Sequence, residues 1–206
     1  MIVNKSTQDI LRVLLVEKAH TLTLREIAEK AGLSLGMAAR IVGALESAGQ
    51  LQKRRGVQLI SWEKTLRTFA YTTSLAEYPK IEFLAAERPQ YLIQKISQLL
   101  SKEHYAFTLF SATEIIAPYV APDQVHLYLV EGEEKKITEI LTKQGFMRAE
   151  KGNITCYLVS KTNFYGQQKV QGCTIISLPQ LYADLIAYGG RGEEAAEEVF
   201  KVMKHV

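Results

Sequence analysis

The residues of this 206-residue chain best suited to chemistry are cations near its N-terminus. Lys53-Arg54-Arg55 puts three in succession, Arg25 and Arg40 stand alone, and Ser34-Leu35-Gly36 leads toward Arg40. A run of cations attracts phosphate oxygens, and a single guanidinium reaching a base edge pairs with guanine through two hydrogen bonds. The charge balance points the same way. Residues 1–60 hold nine Lys/Arg and five Asp/Glu, whereas the remaining 146 hold 16 basic and 17 acidic groups. A basic head on a near-neutral body suits a polyanion partner at the N-terminal end.

The rest of the chain offers no catalytic constellation. His20, His104, His126 and His205 are scattered without metal-ligand spacing, and there is no Cys-x-x-Cys, Gly-rich phosphate loop or Gly-x-Ser-x-Gly elbow. Pro122-Asp123 followed by Glu133-Glu134-Lys135-Lys136 echoes the Asp, then Glu-x-Lys pattern of metal-dependent nucleases. That pattern wants Glu and Lys on a strand, whereas here they fall in a turn or at a helix start. The expectation is a protein that is not an enzyme and needs no cofactor. A DNA-processing nuclease using Asp123 and Glu133 is one alternative. A protein–protein interaction module without DNA binding, its head a dimerisation unit, is another.

Cys156 and Cys173 are too few for a disulfide framework. One bridge or two buried free thiols remain, and a reducing cytosol favours the thiols. The opening MIVNKSTQDILRVLLVEKAH is interrupted by Asp9, Arg12 and Glu17 and has no small-residue cleavage site, so it does not read as a signal peptide. No apolar run approaches the roughly 20 residues that span a bilayer. A cytoplasmic protein is expected.

The elements that must position the cations are legible. Ile10, Leu11, Leu14 and Leu15 recur at helical spacing and predict a helix over 7–19. Thr23 with Glu26 three residues on is a capping box that opens a second helix, and Gly32 ends it. Ser34 caps a third helix over about 35–47, with Ala38, Ile41, Val42 and Leu45 inward and Gly49 as its stop. Two short extended runs flank Arg55-Gly56, a hairpin turn. Three helices and a hairpin in about 60 residues are the plan of a winged helix-turn-helix. Ala28, Gly32 and Ile41 sit at the fitting spacings, with Ala38 where Val or Ile is more usual.

On that plan the third helix enters the major groove through Ser34, Leu35, Gly36 and Arg40. Lys53, Arg54 and Arg55 lie on phosphates at the wing, and Arg25 adds a backbone contact. Leu35, Met37 and Ala39 suit thymine methyls, and Gly36 and Gly43 permit close backbone approach. Few hydrogen bonds discriminate between bases, so specificity per head is modest. The expected partner is double-stranded operator DNA with repeated half-sites.

The body alternates. Strands are predicted at 81–85, 105–110, 125–130, 146–149, 154–160 and 170–176, and helices at 89–103, 111–117, 133–144, 178–187 and 193–204. Ser111-Ala112-Thr113-Glu114 reads as a capping box, Ser177 as a cap, and Arg191 as one half of an ion pair with Asp184 or a helix acid. The expected class is α+β: a winged helix-turn-helix over 1–61, then a mixed α/β domain over 62–206 with a connecting helix within 62–78.

The segment LPQLYADLIAYGGRGEEAAEEVF, with its Leu-Tyr-x-Asp-Leu core and Arg-Gly-x-Glu-Ala-Ala run, resembles AbiEi-type antitoxins of type IV toxin–antitoxin systems. FTLFSATEIIAPYV is similar to the strand-then-helix opening of their second domain. With the winged head the resemblance covers nearly the whole chain and is strongest over residues 181–196. It implies a transcriptional regulator whose head represses its own operon and whose larger second domain takes part in antitoxin action. It also implies a nucleotidyltransferase-like toxin as functional partner, without direct contact between the two proteins.

Overall fold

The structure, a computed structural model, describes residues 4–205; the first three residues of the N-terminal segment read above, and residue 206, lie outside it. The chain divides into two compact units, Met1–Thr73 and Ser74–Val206.

The first unit contains α1 (Lys5–Val16), α2 (Leu24–Lys30), α3 (Leu35–Ser47), β1 (Leu51–Lys53), β2 (Val57–Leu59) and α4 (Trp62–Tyr71). Each early helix starts where a side chain satisfies a free backbone N–H. Asn4 accepts from Thr7, Ser34 accepts from Met37, and Thr23 and Glu26 form the reciprocal box. Ile10, Leu11, Ile27, Val42, Leu45, Leu66 and Phe69 are fully buried and form the core. Asp9 and Arg12 make a buried ion pair of 2.6 Å, and the Arg12 guanidinium lies over the Phe69 ring at 5.7 Å.

That last contact bears on the domain plan. The helix expected as a connector packs against α1, burying Thr65, Leu66, Phe69 and Ala70. The compact unit therefore runs to Thr73 and not to residue 61. A helix with a strong apolar stripe is driven onto the nearest core and does not bridge in solvent.

The second unit is built on a seven-stranded mixed sheet. Its elements are β3 (Lys80–Leu84), α5 (Pro89–Leu99), β4 (Tyr105–Phe107), α6 (Leu109–Ile116), β5 (Val125–Val130), α7 (Glu134–Lys143), β6 (Met147–Ala149), β7 (Ile154–Val159), β8 (Gln168–Val170), β9 (Cys173–Ile175), α8 (Leu178–Tyr188) and α9 (Arg191–His205). The strand order is β6-β3-β7-β5-β4-β9-β8. Neighbours β5/β7 and β4/β9 run parallel and the others antiparallel. The register aligns Ile81, Cys156 and Leu127 across one face, and Tyr157 with Tyr128 on the other.

Three local expectations change, two at helix starts and one at a turn. First, α6 begins at Leu109 after Thr108, so Ser111 lies inside the helix. Its hydroxyl accepts from the His126 backbone N–H at 2.8 Å instead of capping. Second, Ser177 stands at the N-cap of α8 but its hydroxyl makes no cap bond, and its oxygen is buried with no partner among the described residues. Third, the single strand expected over 170–176 is a hairpin. Gln171 and Gly172, at φ 49° and 84°, form its two-residue turn, a geometry that needs positive φ at both positions.

Asp184 organises the packing of α8. Fully buried, its carboxylate accepts from Tyr128 at 2.7 Å, from Gln180 at 2.8 Å and from the Thr108 hydroxyl. Arg191 lies elsewhere, paired with Asp123 at 2.7 Å and stacked over Phe110 at 4.7 Å, which corrects the pairing expected with Asp184 or a helix acid. The outward row Glu193, Glu194, Glu197 and Glu198 leaves Ala195, Ala196, Val199 and Phe200 buried. Both cysteines are free thiols in the core, and burial pushes the Cys156 thiol up.

His126 is the other buried polar side chain of consequence. It stacks on Tyr157 at 6.2 Å, and its Nδ1 has no partner among the described residues. Burial lowers its pKa to about 4 from the ordinary 6.5, with Asp123 and Glu82 pulling weakly the other way.

Two outcomes follow from this packing. Asp184→Ala strands three buried donors and is expected to cost on the order of 3 kcal/mol, read as a lower urea midpoint; an unchanged midpoint contradicts the hub. Between pH 6.5 and about 4 the unfolded chain binds a proton at residue 126 that the folded chain refuses. Stability therefore falls as pH drops through that window, by about 3 kcal/mol in total. Urea titrations at pH 7 and pH 4.5 are expected to show a smaller pH loss for His126→Gln than for wild type; equal losses would place the acid sensitivity elsewhere.

Candidate nucleic-acid interface

The geometry begins with the crossing of α2 and α3. Ala28 is small and buried where the two helices meet, Gly32 turns the chain at φ 66°, and the Leu33 N–H donates to the Ala28 carbonyl at 2.9 Å. Ala38 is fully buried, so the slot where a larger residue was more usual is closed by the near approach of its neighbours.

With Ala38, Ile41, Val42 and Leu45 inward, the opposite side of α3 is fixed by the helical repeat. Leu35 (51% exposed), Gly36, Arg40, Ala44 and Ser47 are exposed, and Ala39 and Gly43 are half-buried. Ser34 is exposed at the cap, where its oxygen accepts from Met37 and its hydroxyl hydrogen stays available. Arg40 donates to the Met37 sulfur at 2.9 Å, a contact within the exposed surface. Arg25 is exposed in the first turn of α2.

The wing is held from both sides. β1 pairs with β2 in the register Leu51↔Leu59 and Lys53↔Val57, which leaves Arg54, Arg55 and Gly56 as the tip. Val57 also exchanges backbone hydrogen bonds with Leu22, at 2.7 and 3.2 Å, so the hairpin is tied to the segment before α2. Gly56 has φ 132°, and a Cβ there would meet the Thr21 side chain at 2.4 Å and the Leu22 carbonyl at 3.0 Å. Only glycine fits that crossing. Arg54 and Arg55 are exposed and form no ion pair among the described residues, whereas Lys53 pairs with Glu46 of α3 at 2.9 Å.

The structure thus puts Ser34, Leu35, Gly36 and Arg40 at the start and outward side of one helix, Arg25 on the helix before it, and Lys53, Arg54 and Arg55 at the wing. Glu46 was missed. It lies seven residues and a chain reversal from Lys53, and no periodicity links the two.

The carboxylates of the nuclease pattern are not brought together. Asp123 precedes β5 and pairs with Arg191; Glu133 follows β5 and lies 3.4 Å from Lys136 and 3.7 Å from His104. Among the described residues no group of three or more His, Cys, Asp or Glu side chains could hold a metal ion, and no helix is long and apolar enough to cross a membrane.

Comparison with known families agrees with this arrangement. Residues 3–52 match the model of a winged helix-turn-helix DNA-binding domain. Residues 67–203 match the model of a family described as transcriptional regulator, AbiEi antitoxin, type IV toxin–antitoxin system. No curated protein and no solved structure matches the chain. With a DNA-binding head and a second domain whose match spans most of the chain, this protein belongs to the family of AbiEi antitoxin transcriptional regulators.

Proposed function

We propose that this protein represses its own operon by binding repeated half-sites in double-stranded DNA, and that it acts in the cytoplasm as the antitoxin to a toxin encoded beside it. Its work is binding and not catalysis. Arg40, with Ser34, Leu35 and Gly36, reads the major groove. At the wing Arg54 and Arg55 sit on phosphates, Lys53 stands beside them paired with Glu46, and Arg25 adds a backbone contact.

The observation that carries this reading is the bareness of α3 on its outward side. Gly36 and Gly43 both lie in the helix, where glycine costs roughly 0.5–1 kcal/mol against alanine. Nothing among the described residues requires them. A Cβ at Gly36 would meet nothing within 4 Å, and one at Gly43 would meet only the Lys53 amine at 3.9 Å. Neither has a positive φ. A groove wall pressed against the helix does require bare backbone. Affinity then comes from phosphate contacts, and Arg40 supplies the discriminating pair.

Gly43→Ala is expected to raise stability by about 0.5–1 kcal/mol while weakening DNA binding several-fold. A gain in stability with unchanged affinity would place α3 away from the groove.

Fluorescence anisotropy on duplex from the gene's own upstream region, against a scrambled duplex and over a salt series, tests the division of labour. Arg40→Ala is expected to lose about 1–3 kcal/mol at one base position and to relax the preference there. Arg54→Gln/Arg55→Gln is expected to weaken both duplexes alike and to flatten the salt slope by roughly 0.9 per phosphate lost. Equal losses on both duplexes for both variants would overturn the assignment of Arg40 as the reader.

A further inference from the structure

The three wing cations are not equivalent. Arg54 and Arg55 stand at the tip without an ion pair among the described residues, but the Lys53 amine is turned back onto α3 and held by the Glu46 carboxylate at 2.9 Å. The same amine lies beside α3 at Gly43, 3.9 Å from the point where a Cβ on that residue would sit, an ordinary contact distance. Both partners are partly open to solvent, 32% for Lys53 and 41% for Glu46. Water and counter-ions therefore reach the pair, and a phosphate oxygen would compete with Glu46 for the same amine.

A carboxylate beside a surface that meets a polyanion is costly unless something neutralises it. Lys53 does so, and in doing so adds no net charge to the wing. If Lys53 swings to a phosphate, Glu46 is left bare next to the duplex. The gain on the phosphate is offset by the loss of the ion pair and by repulsion from Glu46. Binding that depends only on phosphates gains nothing from Lys53, while binding that depends on the fit of α3 to its groove is untouched. Non-specific affinity is set by the number of cations free to displace counter-ions, and specificity is the ratio of the two affinities.

We infer that Glu46 is a specificity-determining residue that acts by withholding Lys53 from DNA phosphates. This rests on the reading of the head as a DNA binder. Glu46 touches no base. It is a positioning residue whose effect is to weaken binding to the wrong sequence, a repulsive element of the kind that selective interfaces use beside their attractive ones.

A merely structural brace between α3 and the wing would behave oppositely. Removing a brace loosens the wing and weakens binding to every duplex. Removing a restraint on a cation strengthens binding, most of all where phosphates supply all the affinity.

The test compares wild type, Glu46→Gln and the double variant Glu46→Gln/Lys53→Gln by anisotropy on the upstream and scrambled duplexes over a salt series, with a thermal melt of each to show that it is folded. Glu46→Gln is expected to bind the scrambled duplex about two- to fivefold more tightly, the worth of an exposed ion pair. Its salt slope should steepen by roughly 0.9, one further phosphate, and its preference for the upstream duplex should narrow. The double variant, which has neither charge, is expected to return to the wild-type slope. Scrambled-duplex binding that is unchanged or weaker in a folded Glu46→Gln overturns the inference. So does a double variant whose slope is shallower than wild type, because Lys53 would then already be on a phosphate. If wild type binds neither duplex, it is the DNA-binding reading itself that fails.

Discussion

Burial of one stripe of α3 governs the rest of the head. Ala38, Ile41, Val42 and Leu45 turn inward at helical spacing, and a rigid helix cannot choose a different outward face once four residues are committed to the core. The same burial sets the wing. The Gln50 N–H closes onto the Leu45 carbonyl at 3.0 Å, Gly49 reverses the chain at φ 68°, and Leu51 enters the core at the first residue of β1. Helix and hairpin are therefore two parts of one packed body. An arginine tip and a bare helix face hold their relation because the residues behind them are shared.

The second unit follows another logic, in which the residues of its signature segment are buried instead of presented. The segment that carries the family resemblance is mostly interior. Leu181, Ala183, Asp184, Leu185, Ala195 and Ala196 are fully buried. Gly192 sits where a Cβ would come within 2.4 Å of the Leu185 carbonyl, so the turn from α8 into α9 admits no side chain there. Asp184 binds α8 to the end of β4 and to β5 through groups drawn from both. The Leu-Tyr-x-Asp-Leu and Arg-Gly-x-Glu-Ala-Ala signatures are thus requirements of packing: an apolar stripe, one buried acceptor and a close helix-to-helix approach. The signature segment describes how the domain holds together, while the residues proposed to act on DNA lie in the head.

The two units differ in how far their sequence could be read. In the head, caps and stops act within three or four residues, so Thr23 with Glu26, Ser34 and Gly32 announce helix ends that the fold keeps. In the body the same local signals are overridden by the packing of distant elements. Ser111 has the sequence context of a cap, yet its hydroxyl meets the His126 N–H fifteen residues away. Ser177 also has that context, but its oxygen is buried in the core. Arg191 had acids close in sequence, but its partner is Asp123, brought near by the fold. A cap is worth about 1 kcal/mol, and satisfying buried backbone or ordering a core is worth more.

What the sequence determined by itself was whatever depends on short range: which stretches are helical, which side of α3 is apolar, where glycine permits a turn, and the excess of cations in the first 60 residues. Those properties follow from backbone sterics and from the spacing of apolar residues, and they need no knowledge of what lies opposite. Only the tertiary structure decided that α4 closes the head, that Asp184 is a buried acceptor, and that Lys53 is held by Glu46 while Arg54 and Arg55 form no ion pair among the described residues. Each of these depends on two groups far apart in the chain meeting at hydrogen-bond or packing distance, and that distance is fixed by how whole elements pack, not by the residues beside them.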